Sequence, residues 1–145
     1  MNLYIGSDHA GYQHKKTIIK YLKSKKIKII DMGPKTEESV DYPEYAHKVC
    51  EKIKEKNKGI LICGSGNGIS MAANKHKNIR AAICWNKKIA ELARKHNDAN
   101  ILSIPARFIN EKETIEILNV FLKTEFEGGR HQRRINKINT WKKQH

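Results

Sequence analysis

Cysteine is scarce in this chain and does not come in pairs. Cys50, Cys63 and Cys84 are its three thiols, with no CxxC spacing, which excludes both a disulfide framework and a zinc knuckle. Aromatic residues make up only 7% of the chain, too few for a platform on which nucleobases stack. No apolar run approaches the roughly 20 residues that span a bilayer. Acidic residues are also short, 15 against 29 Lys and Arg, which leaves a formal charge of +14 over 145 residues. A basic nucleic-acid-binding protein is therefore one reading. However, the excess is mostly Lys scattered over helical faces, so it looks like a bias of the whole sequence. No specific nucleic-acid partner and no membrane partner is expected. The first residues enter an apolar strand pattern without a tripartite leader, so a cytoplasmic setting is expected.

Short runs of Ile, Leu, Val and Ala alternate with longer amphipathic stretches of Lys and Glu. Strands are predicted at Leu3–Gly6, Ile27–Asp31, Gly59–Cys63, Ala81–Cys84 and Asn100–Ile104, apolar on both faces as buried parallel strands are. Helices are predicted near 11–24, 43–57, 68–76, 87–96 and 111–124, with another from about 130. Tyr42-Pro43 and the Asn110-x-x-Glu113 box mark two of the starts. This rhythm predicts an α/β chain, a three-layer α/β/α sandwich with a five-stranded, mostly parallel, Rossmann-like sheet in a single domain over 1–145. Its site should lie at the carboxyl ends of the strands.

Three strand ends carry chemistry. In Cys63-Gly64-Ser65-Gly66-Asn67-Gly68, glycines let backbone N–H groups converge at a helix start, where the dipole favours an anion. The same field should favour the thiolate of Cys63, a base or nucleophile. Cys50 and Cys84 lack this setting and read as small buried hydrophobes. Asp8 and His9 bring a carboxylate and an imidazole to the same edge, and Arg107 follows the last strand. Arg130 and Arg134, four apart on one helical face, offer the planar fork that grips phosphate. His96 and Asn97 precede the last strand, so within one subunit they lie at the amino edge, roughly a strand length or 17 Å from Cys63. If they serve Cys63, a second subunit must deliver them.

Taken with Asp41-Tyr42-Pro43, Ala73-Asn74-Lys75, His96-Asn97-Asp98-Ala99-Asn100 and Phe126-Glu127-Gly128-Gly129-Arg130-His131, these motifs resemble the type B ribose-5-phosphate isomerases along nearly the whole chain. The resemblance implies interconversion of an aldose and a ketose sugar phosphate through an enediolate, without metal or organic cofactor, by a homodimer or tetramer with shared sites. It assigns Cys63 as the base between C1 and C2, Ser65 as the hydroxyl for proton traffic at O1 and O2, and His96, assisted by Asp8, to ring opening. The amides of Gly64, Ser65, Gly66, Asn67, Gly68, Ile69 and Ser70 would hold the enediolate. Tyr42 and Asn97 would touch the sugar, and His9, Arg107, Arg130 and Arg134 the phosphate. Some members place a Glu right after the glycine loop instead of using Cys; here that position is Ile69. Related enzymes acting on allose 6-phosphate or galactose 6-phosphate are the alternative within the class. The helix from about 130 is expected to reach the partner subunit.

Overall fold

All four strand pairings are parallel, and every connection between them carries a helix. A computed structural model describes residues 1–141, so the last four residues of the expected 1–145 domain lie outside the described residues. The strands are β1 (Leu3–Ser7), β2 (Ile29–Asp31), β3 (Lys58–Cys63), β4 (Ala81–Ile83) and β5 (Ile101–Pro105). They form one sheet in the order β2-β1-β3-β5-β4. Helices α1 (Tyr12–Ser24), α2 (Tyr42–Cys50), α3 (Asn67–Ala73), α4 (Lys87–Asn97), α5 (Glu111–Lys123) and α6 (Arg130–Asn136) complete the chain. The expected α/β architecture is therefore observed.

The central strands β1, β3 and β5 are buried at nearly every residue, because both faces of the sheet are covered. On one face Ile18 and Leu22 of α1, Ala90 and Ala93 of α4 and Ile117, Leu118 and Phe121 of α5 close over Ile5, Ile60 and Ile62. On the other, Ala46 and Val49 of α2 and Ile69 and Ala73 of α3 close over Tyr4, Leu61 and Ile101. Successive residues of a strand point to opposite faces, so one apolar run feeds both cores. β1 leads to β2 on one side and lies beside β3 on the other, so the chain reverses its direction of winding between β1 and β3. Ligands of open parallel sheets bind in the crevice at such a point.

Several boundaries differ from the sequence expectation, among them the end of α3, expected near 76, which falls at Ala73, where Lys75 N–H and His76 N–H turn back to Ala72 O and Ala73 O. The helix predicted over 43–57 ends at Cys50. There the bonds tighten, with Lys52 N–H donating to Val49 O and Ile53 N–H to Cys50 O, and Ile53 is buried in the core. Burying Ile53 and setting Lys58 beside Leu3 overrides the helical propensity of the intervening lysines. Ile27 is not in β2; its N–H closes the end of α1 on Leu22 O at 2.9 Å, past Lys26 at φ +58°. Cys84 lies one residue beyond β4, although its N–H still donates to Ser103 O. The starts are as expected: Pro43 sits in the first turn of α2, and Asn110 and Glu113 form a reciprocal capping box. Among the described residues no helix is long and apolar enough to cross a membrane.

Candidate functional site

The crevice between the ends of β1 and β3 gathers seven of the site residues singled out in the sequence. Asp8, Tyr42, Cys63, Gly64, Ser65 and Gly68 line a cleft of about 430 Å³ together with Arg107 and Phe108. Cys63 ends β3 facing Pro105 of β5 and is 5% exposed. Gly66 caps α3 at φ +77°, a left-handed turn that glycine adopts without penalty. A β-carbon on Gly68 would fall 2.5 Å from the Tyr42 ring, so this glycine lets the aromatic side chain lie across the loop. The amides of Gly68 and Ile69 are in the first turn of α3 and have no intrahelical acceptor. Two other amides in the expected cradle are spent within the loop: Asn67 N–H donates to Ser65 Oγ at 3.2 Å and Ser70 N–H to Gly66 O at 3.3 Å. Ile69 points its side chain into the core, and the buried Ser70 Oγ makes no hydrogen bond among the described residues.

Asp8 and His9 are held from behind. The Asp8 carboxylate accepts from Gly11 N–H at 3.1 Å, and Asp8 N–H donates to Ile62 O, which locks the turn to β3. His9 Nδ1 accepts from Val40 N–H at 3.3 Å, so its Nε2 is the ring nitrogen left for a ligand. Arg107 N–H donates to Gly64 O at 3.0 Å, fixing the base of an exposed guanidinium beside the glycine loop. Burial pushes the thiols of Cys50 and Cys84 up to about 12, in keeping with their reading as core residues.

His96, Asn97 and Arg134 are not in this cleft. They line a second one of about 340 Å³ with Ile135 and Ile138, beyond the amino end of the sheet where Ile101 pairs with Gly59. The five residues of β5 separate the two clefts, roughly 17 Å at the usual strand rise. Helix α6 packs on α4, and Glu127 N–H donates to Lys95 O at 3.1 Å. Arg130 and Arg134 stand exposed on that helix. The chain thus carries two clefts that do not meet within it.

Glu127 and His131 were not singled out as site residues, yet they surround His96. The His131 ring stacks on the His96 ring with centroids 4.3 Å apart and planes 14° from parallel. Glu127 Oε1 lies 3.8 Å from His96 Nε2 and 3.4 Å from His131 Nε2. Desolvation first, then the charges of His96 and Arg130, push the His131 imidazole below its ordinary range, while Glu127 pulls the other way. The i,i+4 spacing of Glu127 and His131 was visible in the sequence. Their approach to His96, 31 and 35 positions away, was not.

The sequence profile of the Ribose/Galactose Isomerase family matches residues 3–138. Ribose-5-phosphate isomerase B of Escherichia coli K12 is 41% identical over 135 residues, covering 92% of this chain and 91% of its own. The solved ribose-5-phosphate isomerase B of Thermotoga maritima shares 48% identity at a TM-score of 0.92, covering 95% of this chain and 97% of that one. The Mycoplasma genitalium enzyme, solved with bound ribulose-5-phosphate, shares 48% identity at a TM-score of 0.92, covering 94% of this chain and 93% of that one. The parallel sheet, the thiol and glycine loop at its switch point and the match along nearly the whole chain agree: this protein belongs to the Ribose/Galactose Isomerase family.

Proposed function

We propose that this protein interconverts ribose 5-phosphate and ribulose 5-phosphate through an enediolate. The observation that carries the reading is the convergence of the Cys63 thiol, the Ser65 hydroxyl, the Asp8 carboxylate and the Arg107 guanidinium in one cleft. The Cys63 thiolate takes the proton from C2 of the open-chain aldose and its thiol returns a proton to C1. Ser65 passes the hydroxyl proton from O2 to O1, so no atom or electron is gained or lost. Amides of the Gly64–Ser70 segment that stay free of the loop's own bonds stabilise the enediolate charge, which a low-dielectric cleft makes worth more than in water. Tyr42 contacts the sugar, and His9 and Arg107 belong to its phosphate shell.

His96 opens the furanose ring with Asp8, Asn97 binds the sugar, and Arg130 and Arg134 complete the grip on phosphate. Because these groups occupy the other half-site, the working enzyme is a homodimer, or a tetramer built from such dimers, in which each cleft receives His96 and α6 of the neighbour. A twofold arrangement does this twice at once. All three cysteines are free, as a thiolate base requires, and this supports a reducing, cytoplasmic setting.

The test is steady-state turnover on ribose, allose and galactose phosphates with wild type and Cys63→Ala. Removing a general base should lower kcat by roughly 10² or more and leave KM close to its wild-type value, since the base acts in the transition state. Near-normal turnover of Cys63→Ala sinks the assignment.

A further inference from the structure

We propose that His96, Glu127 and His131 form a site for a divalent first-row cation of the Zn²⁺ class, and that its occupancy inhibits the enzyme. The inhibitory half rests on the ring-opening role proposed for His96; the binding half does not.

His131 supplies the first reason. Its side chain is 7% exposed, and its Nε2 makes no hydrogen bond among the described residues. A buried imidazole nitrogen normally has a partner. Glu127 is the nearest acceptor, but at 3.4 Å it is placed as a neighbour rather than as a hydrogen-bond acceptor. The second reason is the donor set. One atom from each of the three residues lies within 4.8 Å of the others, and two imidazole nitrogens with one carboxylate oxygen are the ligands of zinc sites that keep a fourth position open. With metal–ligand bonds of about 2.1 Å, tetrahedral ligand atoms stand about 3.4 Å apart, so the spacing of the ligand atoms is within about 1.4 Å of what closure needs, and what remains is the rotation of one ring. The scaffold is firm, since Glu127 N–H is bonded to Lys95 O and His131 N–H to Gly128 O.

The stacked rings show how capture would act. A metal lies in the plane of each imidazole that binds it, and two rings only 14° from parallel cannot share one ion as they stand. The His96 side chain is 40% exposed, whereas that of His131 is 7% exposed, so His96 is the ring that turns. Binding therefore breaks the stack, withdraws the lone pair of His96 Nε2 and swings the imidazole away from a sugar. Arg130 and Arg134 act on His131 with like charge and oppose a cation, which weakens the site.

Calorimetric titration of the metal-free full chain with Zn²⁺ tests the site without substrate. One ion per chain should bind, at least tenfold more weakly to Glu127→Gln and His131→Gln, and equally well to Cys63→Ser and His47→Gln. The last two report on the other metal-accessible groups, the cleft thiol and the His47–His76 pair at 2.7 Å. Co²⁺ in place of Zn²⁺ should give d–d absorption without a thiolate charge-transfer band. Undiminished affinity in both cluster variants, or loss only in Cys63→Ser, overturns the site. Glu127 is 49% exposed, so Glu127→Gln decides alone should His131→Gln fail to fold. In the turnover assay Zn²⁺ should inhibit wild type reversibly by chelator, and Glu127→Gln should need at least tenfold more metal relative to its own metal-free rate. Binding at the cluster without inhibition overturns the inhibitory role. Absence of turnover in chelated buffer would instead count against the isomerase reading.

Discussion

Replacing Gly11 with alanine should destabilise the protein although the backbone there suits alanine. Gly11 caps α1 at φ −93° and ψ 0°, a conformation open to any residue, and by loss of unfolded-state entropy alone the change would stabilise by about 0.4–1 kcal/mol. Space decides otherwise. The new β-carbon would stand 2.6 Å from Ile62 Cγ2 and 2.7 Å from both Ile62 Cβ and Ile62 O. Ile62 is fully buried in β3 and stiff at χ1, and two of the three atoms move only with the central strand. Relief therefore requires α1 to withdraw, which stretches the bond from Asp8 N–H to Ile62 O at 3.1 Å and that from Gly11 N–H to the Asp8 carboxylate at 3.1 Å. Overpacking of about 1–3 kcal/mol plus a weakened hydrogen bond of about 1 kcal/mol, less the entropic gain, leaves a net loss of about 1–3.5 kcal/mol. For a chain of this size that lowers Tm by roughly 2–14 °C. Differential scanning calorimetry of both proteins at one concentration measures it. Since Asp8 moves with α1, kcat on ribose 5-phosphate should fall as well. A Tm within about 1 °C of wild type, or above it, would refute the close approach of α1 to β3 on which the Asp8 geometry depends.

Mixing inactive Cys63→Ala subunits with inactive Arg130→Ala/Arg134→Ala subunits should restore about a quarter of wild-type activity. Random exchange makes about half the dimers mixed, and in each both lesions can fall in one of two symmetric sites. No recovery, with subunit exchange shown by mass spectrometry, would place each site wholly within one chain. Iodoacetamide at pH 8 should add one group per chain, at Cys63, and abolish turnover with protection by substrate. Cys50 and Cys84, pushed up to about 12 by burial, are about one part in 10⁴ ionised at that pH, and the thiolate is the nucleophile. Comparable labelling of Cys50 or Cys84 would contradict their burial.

Much of this protein is local in origin and could be read along the chain. The apolar runs around Ile5, Ile60 and Leu102 can be buried on both faces only in a covered parallel sheet, and two of the helices carry their own start signals at Pro43 and Asn110. The glycines from 64 to 68 placed an amide-lined turn after Cys63, and chain direction alone put His96 at the opposite edge. Tertiary structure decided what depends on non-local packing. Propensity continues α2 through its lysines, but the chain turns at Cys50 because Ile53 gains more from the core than those residues gain from another helical turn. The sheet order set Asp8 beside Cys63, a choice made by which strands bury each other's faces and not by any residue near either position. The stack of His131 on His96, with Glu127 between their nitrogens, joins groups about a quarter of the chain apart; it exists because α6 folds back on α4, and no periodicity of the sequence encodes that contact.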